Sequence, residues 1–169
     1  MTPPTDPVPD TAGLAAGVVV ASNRAAAGVY EDTTGPLLTA FLGELGFVVG
    51  APTVVPDGDP VGEAISTYVS AGARVVLTTG GTGLTPTDRT PEATRAVLDR
   101  EVPGIAEAIR AAGVAKGVPS AVLSRGLAGV AGDCLVVNLP GSRGGVKDGL
   151  EVLRPWLVHA VEQVVGSDH

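Results

Sequence analysis

A chain of 169 residues, 44% hydrophobic and 17% charged, supports one sizeable core, and with aromatics at 3% that core is built from Val, Leu, Ala and Ile. The net charge of −7, with its 11 basic residues scattered, excludes a nucleic-acid footprint. One cysteine and two histidines, both near the C-terminus, exclude a disulfide framework and argue against a Cys/His metal centre or a Ser-His-Asp triad, and no apolar run is long enough to span a bilayer.

Residues 1–13 carry Pro3, Pro4, Pro7 and Pro9 without apolar periodicity and read as a disordered tail, ahead of a single domain over residues 14–166. Asp6 and Asp10 stand where a secretory leader needs basic residues, so the cytoplasm is the default compartment. A strand is predicted at 17–21, then a glycine-bearing loop at 24–35 and a helix with Pro36 in its first turn and Gly46 as its stop. Residues 47–55 form a second strand region, interrupted at Pro52 and closed by Pro56-Asp57-Gly58. Asp59 and Pro60 open a helix that ends at Gly72. Residues 74–78 place Val75, Val76 and Leu77 in a row, as a strand covered on both faces requires.

A polar loop at 79–90 leads to a helix opening at Thr90-Pro91-Glu92, a further helix at 103–112 stopped by Gly113, and a helical turn at 119–123. Residues 127–130 and 134–139 read as two strands joined tightly at Gly132-Asp133. Val146, Leu150, Leu153, Leu157, Val161 and Val164 form one helical stripe, and Pro155 inside it predicts a kink or two abutting helices. Alternating strands and helices predict a three-layer α/β/α sandwich with a mostly parallel, Rossmann-like sheet.

The strongest chemical signal is the run Thr79, Gly80, Gly81, Thr82 and Gly83 at the carboxyl end of a buried strand, where open α/β sheets bind ligands. Glycines let backbone approach a phosphate, and flanking hydroxyls donate to it. The run is neither a Walker A loop nor a dinucleotide fingerprint, because no Gly-Lys-Ser/Thr follows and Leu84-Thr85-Pro86 stands where the third glycine belongs. A phosphate loop and a plain tight turn fit it equally. Asp57 and Asp88 lie beyond strand ends on one sheet edge, within reach of a shared Mg²⁺, but Asp beside Pro or Gly is also a turn former, and spacing alone favours the turn. Asn138, Leu139, Pro140, Gly141 and Ser142 precede a helix start with Arg143 and Lys147, either an anion site or a simple loop. Ser22-Asn23-Arg24 ends the first strand in the same way. Cys134 reads as a buried inert thiol, Trp156 and His159 as packing or interface residues, and Tyr30 as one able to stack on a flat heterocycle.

Taken together, Ser22-Asn23-Arg24, Gly28-Val29-Tyr30-Glu31-Asp32, Pro56-Asp57, Thr78 to Gly83 with Asp88, Thr90-Pro91-Glu92, Ser124-Arg125-Gly126 and Asn138 to Ser142 resemble the MogA/MoaB family of molybdenum cofactor biosynthesis, which includes the gephyrin G domain. The motifs run in family order over nearly the whole chain after the tail, and Gly28 to Asp32 is closest to the MogA branch. The resemblance implies the MogA/MoaB fold and a Mg-ATP-dependent molybdopterin adenylyltransferase, moving AMP from ATP to the terminal phosphate of molybdopterin with release of pyrophosphate. It implies Asp57 and Asp88 as catalytic and Mg²⁺-holding residues, and ATP phosphate contacts from Thr79, Gly80, Gly81, Thr82 and Gly83. For molybdopterin it implies Ser22, Arg24, Ser124, Asn138, Pro140, Gly141 and Ser142.

A homo-trimer and a molybdate-inserting MoeA-type partner are implied too, with no nucleic acid and no membrane. Two positions depart from the family pattern: Asn23 stands where many relatives have Asp, and Thr87 where some have Arg. The alternative within the resemblance is a non-catalytic molybdopterin-binding carrier or scaffold of MoaB type, disfavoured by the retained Asp57 and Asp88. A nicotinamide-dependent oxidoreductase is disfavoured by the broken dinucleotide fingerprint.

Overall fold

The computed structural model describes residues 11–166. In chain order the elements are β1 (Ala15–Ala21), α1 (Asn23–Ala26), α2 (Gly35–Glu44), β2 (Val48–Val49), β3 (Thr53–Val55), α3 (Asp59–Ser70), β4 (Val75–Thr79), α4 (Thr90–Arg95) and β5 (Arg100–Glu101). There follow α5 (Pro103–Ala115), a 3₁₀ turn (Pro119–Leu123), β6 (Ala128–Ala131), β7 (Cys134–Leu139), α6 (Arg143–Leu153) and α7 (Leu157–Val164).

The strands form one sheet in the order β2-β1-β4-β7-β6-β5, with β3 also paired to β1. β1 runs parallel to β2, β3 and β4, and β4 parallel to β7, whereas the β6–β7 hairpin and β5 are antiparallel. Val75, Val76 and Leu77 are fully buried, because β4 sits in mid-sheet with helices on both faces. Strand alternation divides the core in two. Val18, Val20, Leu77 and Val137 face Leu38, Ile109, Val146 and Leu157 of α2, α5, α6 and α7. Val19, Val76 and Val136 face Val61 and Ile65 of α3, with Ala93 of α4 packed alongside. This is the predicted three-layer α/β/α sandwich.

Pro155 divides the last helical stripe into two separate helices, α6 and α7, as predicted. Three features were not predicted. The edge strand β5 consists of two exposed charged residues, with no alternation to reveal it, and exists because it pairs with β6. The expected loop at 24–35 opens with the single turn of α1, whose first amides are met by Ser22: its hydroxyl accepts from the Ala25 amide at 3.1 Å. Helix α5 runs through Gly113, where a Cβ would lie 2.6 Å from Ala121 Cβ, so this glycine serves close approach to the 3₁₀ turn and does not stop the helix.

Of the tail expected over residues 1–13, the first ten residues lie outside those described. Thr11 is buried, its hydroxyl donates to the Leu45 carbonyl, and its carbonyl accepts from the Leu14 amide at 3.0 Å. With four prolines and no apolar periodicity, residues 1–10 have little to bury, so their removal is expected to leave the melting temperature unchanged. Removal through Gly13 is expected to lower it by a few degrees, roughly 1 kcal/mol for a lost buried hydrogen bond. Equal melting of the two truncated chains would refute this boundary.

Candidate active site

The carboxyl ends of β1, β3, β4 and β7 share one edge of the sheet, and the loops leaving them meet there. The Thr79 hydroxyl donates to the Pro140 carbonyl at 2.7 Å and the Gly80 amide to the Leu139 carbonyl at 3.3 Å, tying the loop after β4 to the loop after β7. The two loops touch glycine on glycine: a Cβ on Gly141 would lie 3.3 Å from Gly80 Cα. Two clefts open on either side of this contact and share Gly141 and Ser142. The larger, about 470 Å³, is lined by Gly81, Thr82, Gly83, Asp88, Ser124 and Pro140, with Arg110 and Asp148 on its far wall. The smaller, about 240 Å³, is lined by Ser22, Tyr30, Asp32, Thr79, Gly80 and Arg143.

Asp57 and Asp88 flank the glycine loop. Asp57 Oδ1 lies 2.6 Å from the point a Cβ on Gly81 would occupy, and Asp88 Oδ2 lies 2.8 Å from the corresponding point on Gly83. Asp88 Oδ2 also accepts from the Thr85 amide at 3.1 Å. Asp57 Oδ1 is buried without a hydrogen-bond partner. Burial raises the Asp57 carboxyl above its ordinary value of 3.8, the Asp88 charge raises it further, and the Asn23 backbone amide offsets part of the rise. The Asp88 charge thus reaches Asp57 across the loop. The Asp57 amide donates to the Asn23 side-chain oxygen at 2.9 Å, so the departure at position 23 keeps the acceptor an Asp would offer while adding no third negative charge.

A carboxyl whose pKa is raised by folding binds more protons folded than unfolded, so stability falls as pH rises from 3.8 through the raised value and stays lowered above it. Asp57→Asn is accordingly expected to melt above the wild type at pH 7, and the gain should shrink to nothing as pH falls toward 3.8. Thermal melts of both proteins across pH 3 to 8 measure this; a variant that melts lower at pH 7 sinks the argument.

Among the other predicted ligands, Pro140, Gly141, Ser142 and Ser124 line the larger cleft and Ser22 the smaller. Ser22 and Ser142 also cap α1 and α6, the latter accepting from the Gly145 amide at 3.0 Å. Arg24 lines neither cleft. Neither does Asn138, which is buried with its side chain engaged: its oxygen accepts from the Leu127 amide at 3.0 Å, and its nitrogen donates to the hydroxyls of Thr78 and Thr94 at 2.9 and 3.0 Å. Its place is to join β4, α4 and the entry to β6. The Cys134 thiol is buried and pushed up to about 12 by desolvation, which makes it inert as expected.

Arg125 stands in the Ser124-Arg125-Gly126 motif but was given no role from the sequence, and Arg110 was not singled out. Arg125 contacts the glycine loop, Asp88 and Glu92, and Arg110 donates to the Ser124 and Gly126 carbonyls at 3.3 and 3.2 Å. The Arg125 guanidinium bonded to Glu92 holds that carboxyl below the usual range. The Ser124-Arg125-Gly126 motif marks Arg125 without showing what it bonds, and no local signal marks Arg110, because the partners of Arg125 are distant in the chain.

Residues 17–159 match the family model described as "Probable molybdopterin binding domain". A molybdopterin adenylyltransferase from Haemophilus influenzae is 42% identical over 146 residues, covering 83% of this chain and 73% of that protein. A molybdenum cofactor biosynthesis bifunctional protein from Synechococcus elongatus is 38% identical over 168 residues, and the chain spans 52% of its length. The match covers 99% of this chain. Among solved structures, the molybdopterin biosynthesis Mog protein from Mycobacterium ulcerans superposes with a TM-score of 0.86 at 52% identity, covering 90% of this chain and 99% of that one.

Proposed function

The chain belongs to the molybdopterin binding domain family, and we propose that within it this protein is a molybdopterin adenylyltransferase, joining AMP from ATP to the terminal phosphate of molybdopterin and releasing pyrophosphate. The observation that carries the reading is the pair Asp57 and Asp88, electrostatically coupled across a glycine loop that lines the larger cleft. In this reaction a terminal phosphate oxygen of the pterin forms a bond to the α-phosphorus of ATP, and the bond from that phosphorus to the bridging oxygen of pyrophosphate breaks. No protein nucleophile is needed, which suits a site whose only cysteine is buried elsewhere. The protein's part is positioning and charge neutralisation.

The loop Thr79 to Gly83 would hold the nucleotide phosphates through its backbone, and Ser22, Ser124, Pro140, Gly141 and Ser142 would contact the pterin substrate. Arg24 lines neither cleft, and Asn138 would act from outside them by fixing β7, which leads into Pro140. The donor set suits Mg²⁺ arriving with a nucleotide. Asp57 Oδ1 is an unpartnered buried oxygen, and no group of three or more His, Cys, Asp or Glu stands ready for an ion among the described residues. Two carboxylates that leave the rest of the coordination shell to phosphates and water match the habit of Mg²⁺. Bound there, the ion would supply neutralisation of the developing phosphate charge, with Asp57 and Asp88 holding it.

The test is incubation with ATP, Mg²⁺ and molybdopterin. Adenylylated pterin and stoichiometric pyrophosphate are expected; tight pterin binding without ATP consumption would make the protein a carrier instead. We further propose a homo-trimer working in the cytoplasm and passing its product to a molybdate-inserting MoeA-type protein. Exposed Val114 and Val122, at the end of α5 and in the 3₁₀ turn, support self-association, whereas Val118 and Leu123 beside them line the larger cleft. Sedimentation showing only monomer at micromolar concentration overturns the trimer. No helix among the described residues is long and apolar enough to cross a membrane.

A further inference from the structure

We propose that Arg125 is a positioning residue of this site, clamping the turn that carries Asp88 so that its carboxylate stays beside Gly83 of the glycine loop; the inference rests on the adenylyl-transfer reading. Between the end of β4 at Thr79 and the start of α4 at Thr90 the chain has no regular structure, and Leu84 in its middle is 64% exposed. Such a segment holds its shape only through specific bonds. Its own are few: the Asp88 amide donates to the Thr85 carbonyl at 3.0 Å, the Thr85 amide to Asp88 Oδ2 at 3.1 Å, and the Thr90 amide to the Gly81 carbonyl at 3.0 Å.

The Thr85 and Thr87 hydroxyls also lie 3.3 Å apart, and Arg125 adds further bonds from 42 residues away in sequence. Its amide donates to the Thr82 carbonyl at 2.7 Å, its Nε to the Gly83 carbonyl at 2.9 Å, and its Nη2 to the Asp88 carbonyl at 2.7 Å. Nη1 pairs with Glu92 in the first turn of α4. One planar group therefore holds both ends of the turn from Gly83 to Asp88 and fastens it to the following helix. A guanidinium does this because its donors form a rigid fork; an ammonium at the same place is a single point and cannot meet all three.

Arg125 is itself held. Arg110 Nη1 donates to the carbonyls on either side of it, at Ser124 and Gly126, and the Ser124 hydroxyl donates to that of Thr82 at 3.3 Å. The side chain of Arg125 is 36% exposed and lines neither cleft, so it adds little to the core and does not itself touch bound substrate. Its work is transmitted through Asp88 and the glycine loop.

The experiment is a double-mutant cycle of Arg125→Gln and Asp88→Asn in the full chain, with adenylyl transfer and amide hydrogen exchange as readouts. Arg125→Gln is expected to lower kcat about thirtyfold or more, since misplacement by ~1 Å costs on that scale. Arg125→Lys, which keeps charge and stem, is expected to recover only part of this and covers the case in which the glutamine variant does not fold. In the Asp88→Asn background, Arg125→Gln should cost less than about threefold, because residues acting as one unit do not multiply. A merely structural arginine would cost the same factor in both backgrounds, and that result, or a single mutant within about threefold of wild type, overturns the proposal. Amides of residues 80–88 should exchange faster in Arg125→Gln while those of β1 and β7 are unchanged; unchanged exchange in the loop also overturns it. If the wild type transfers no adenylyl group, the functional reading has failed and the exchange result alone decides the clamp.

Discussion

Asp88→Asn is expected to fold normally and to lose at least about a hundredfold in turnover, the scale of removing one preorganised electrostatic group. The substitution keeps size and shape, and the amide oxygen can still accept from the Thr85 amide, which Asp88 Oδ2 accepts at 3.1 Å. What disappears is the charge beside the glycine loop. If that charge acts on the metal-bound phosphates, its value is greatest in the transition state, so kcat falls while pterin affinity holds. Asp57→Asn should behave likewise, and the double variant should lose less than the product of the two. The competing account makes Asp88 a turn former, for which Asn is an equally good residue. Steady-state rates with normal affinity but near-wild-type turnover in Asp88→Asn would leave the loop as scaffold and move the chemistry elsewhere.

Gly80→Ala should be among the most damaging single substitutions for stability. Gly80 has φ +90°, and a Cβ there would sit 2.3 Å from the Ala21 carbonyl oxygen, at the end of β1. That oxygen cannot retreat cheaply, because the end of β1 pairs with β3 and β4: Ala21 faces Val55 and Val20 faces Thr79. Left-handed backbone alone costs a non-glycine residue roughly 1–2 kcal/mol. Adding the backbone clash should bring the loss to about 3 kcal/mol or more. Gly28→Ala separates the two contributions, since Gly28 has φ +73° with nothing within 4 Å of its Cβ position. Denaturant titration should show the Gly28 variant losing only the smaller amount; equal losses for the two would mean that the contact with Ala21 carries no cost.

Asp57 carries the stability cost of this arrangement. An unpartnered buried carboxylate oxygen beside a second acid opposes folding, and the core of Val, Leu and Ile around β4 offsets it. A site assembled from groups that would individually relax if freed is what a preorganised charge trap requires.

Much of this was legible in the sequence. Unbroken Val and Leu runs identify buried parallel strands because a strand covered on both faces has no polar side to alternate with. Proline and glycine mark helix starts and turns because each restricts or frees the backbone locally, and the helix break at Pro155 follows from its missing amide and ring clash alone. The strand-end motifs bearing Asp57, Gly80 and Asp88 are local too, and so is their place on the carboxyl edge of a parallel sheet. Other features depend on contacts between distant segments. Asn138 reads from its motif as a ligand contact, but β7 is buried along its whole length on both faces, and the Asn138 amide is engaged by Leu127, Thr78 and Thr94. β5, with nothing but Arg100 and Glu101, is a strand only because β6 lies beside it. Arg125 sits in a recognisable motif, but its partners appear only when the turn 42 residues upstream is brought against it. Periodicity and backbone preference are properties of neighbouring residues, and the chain carries them before it folds. Which donor meets which acceptor, and so which charge is buried or clamped, exists only once the sheet has brought its strand ends together.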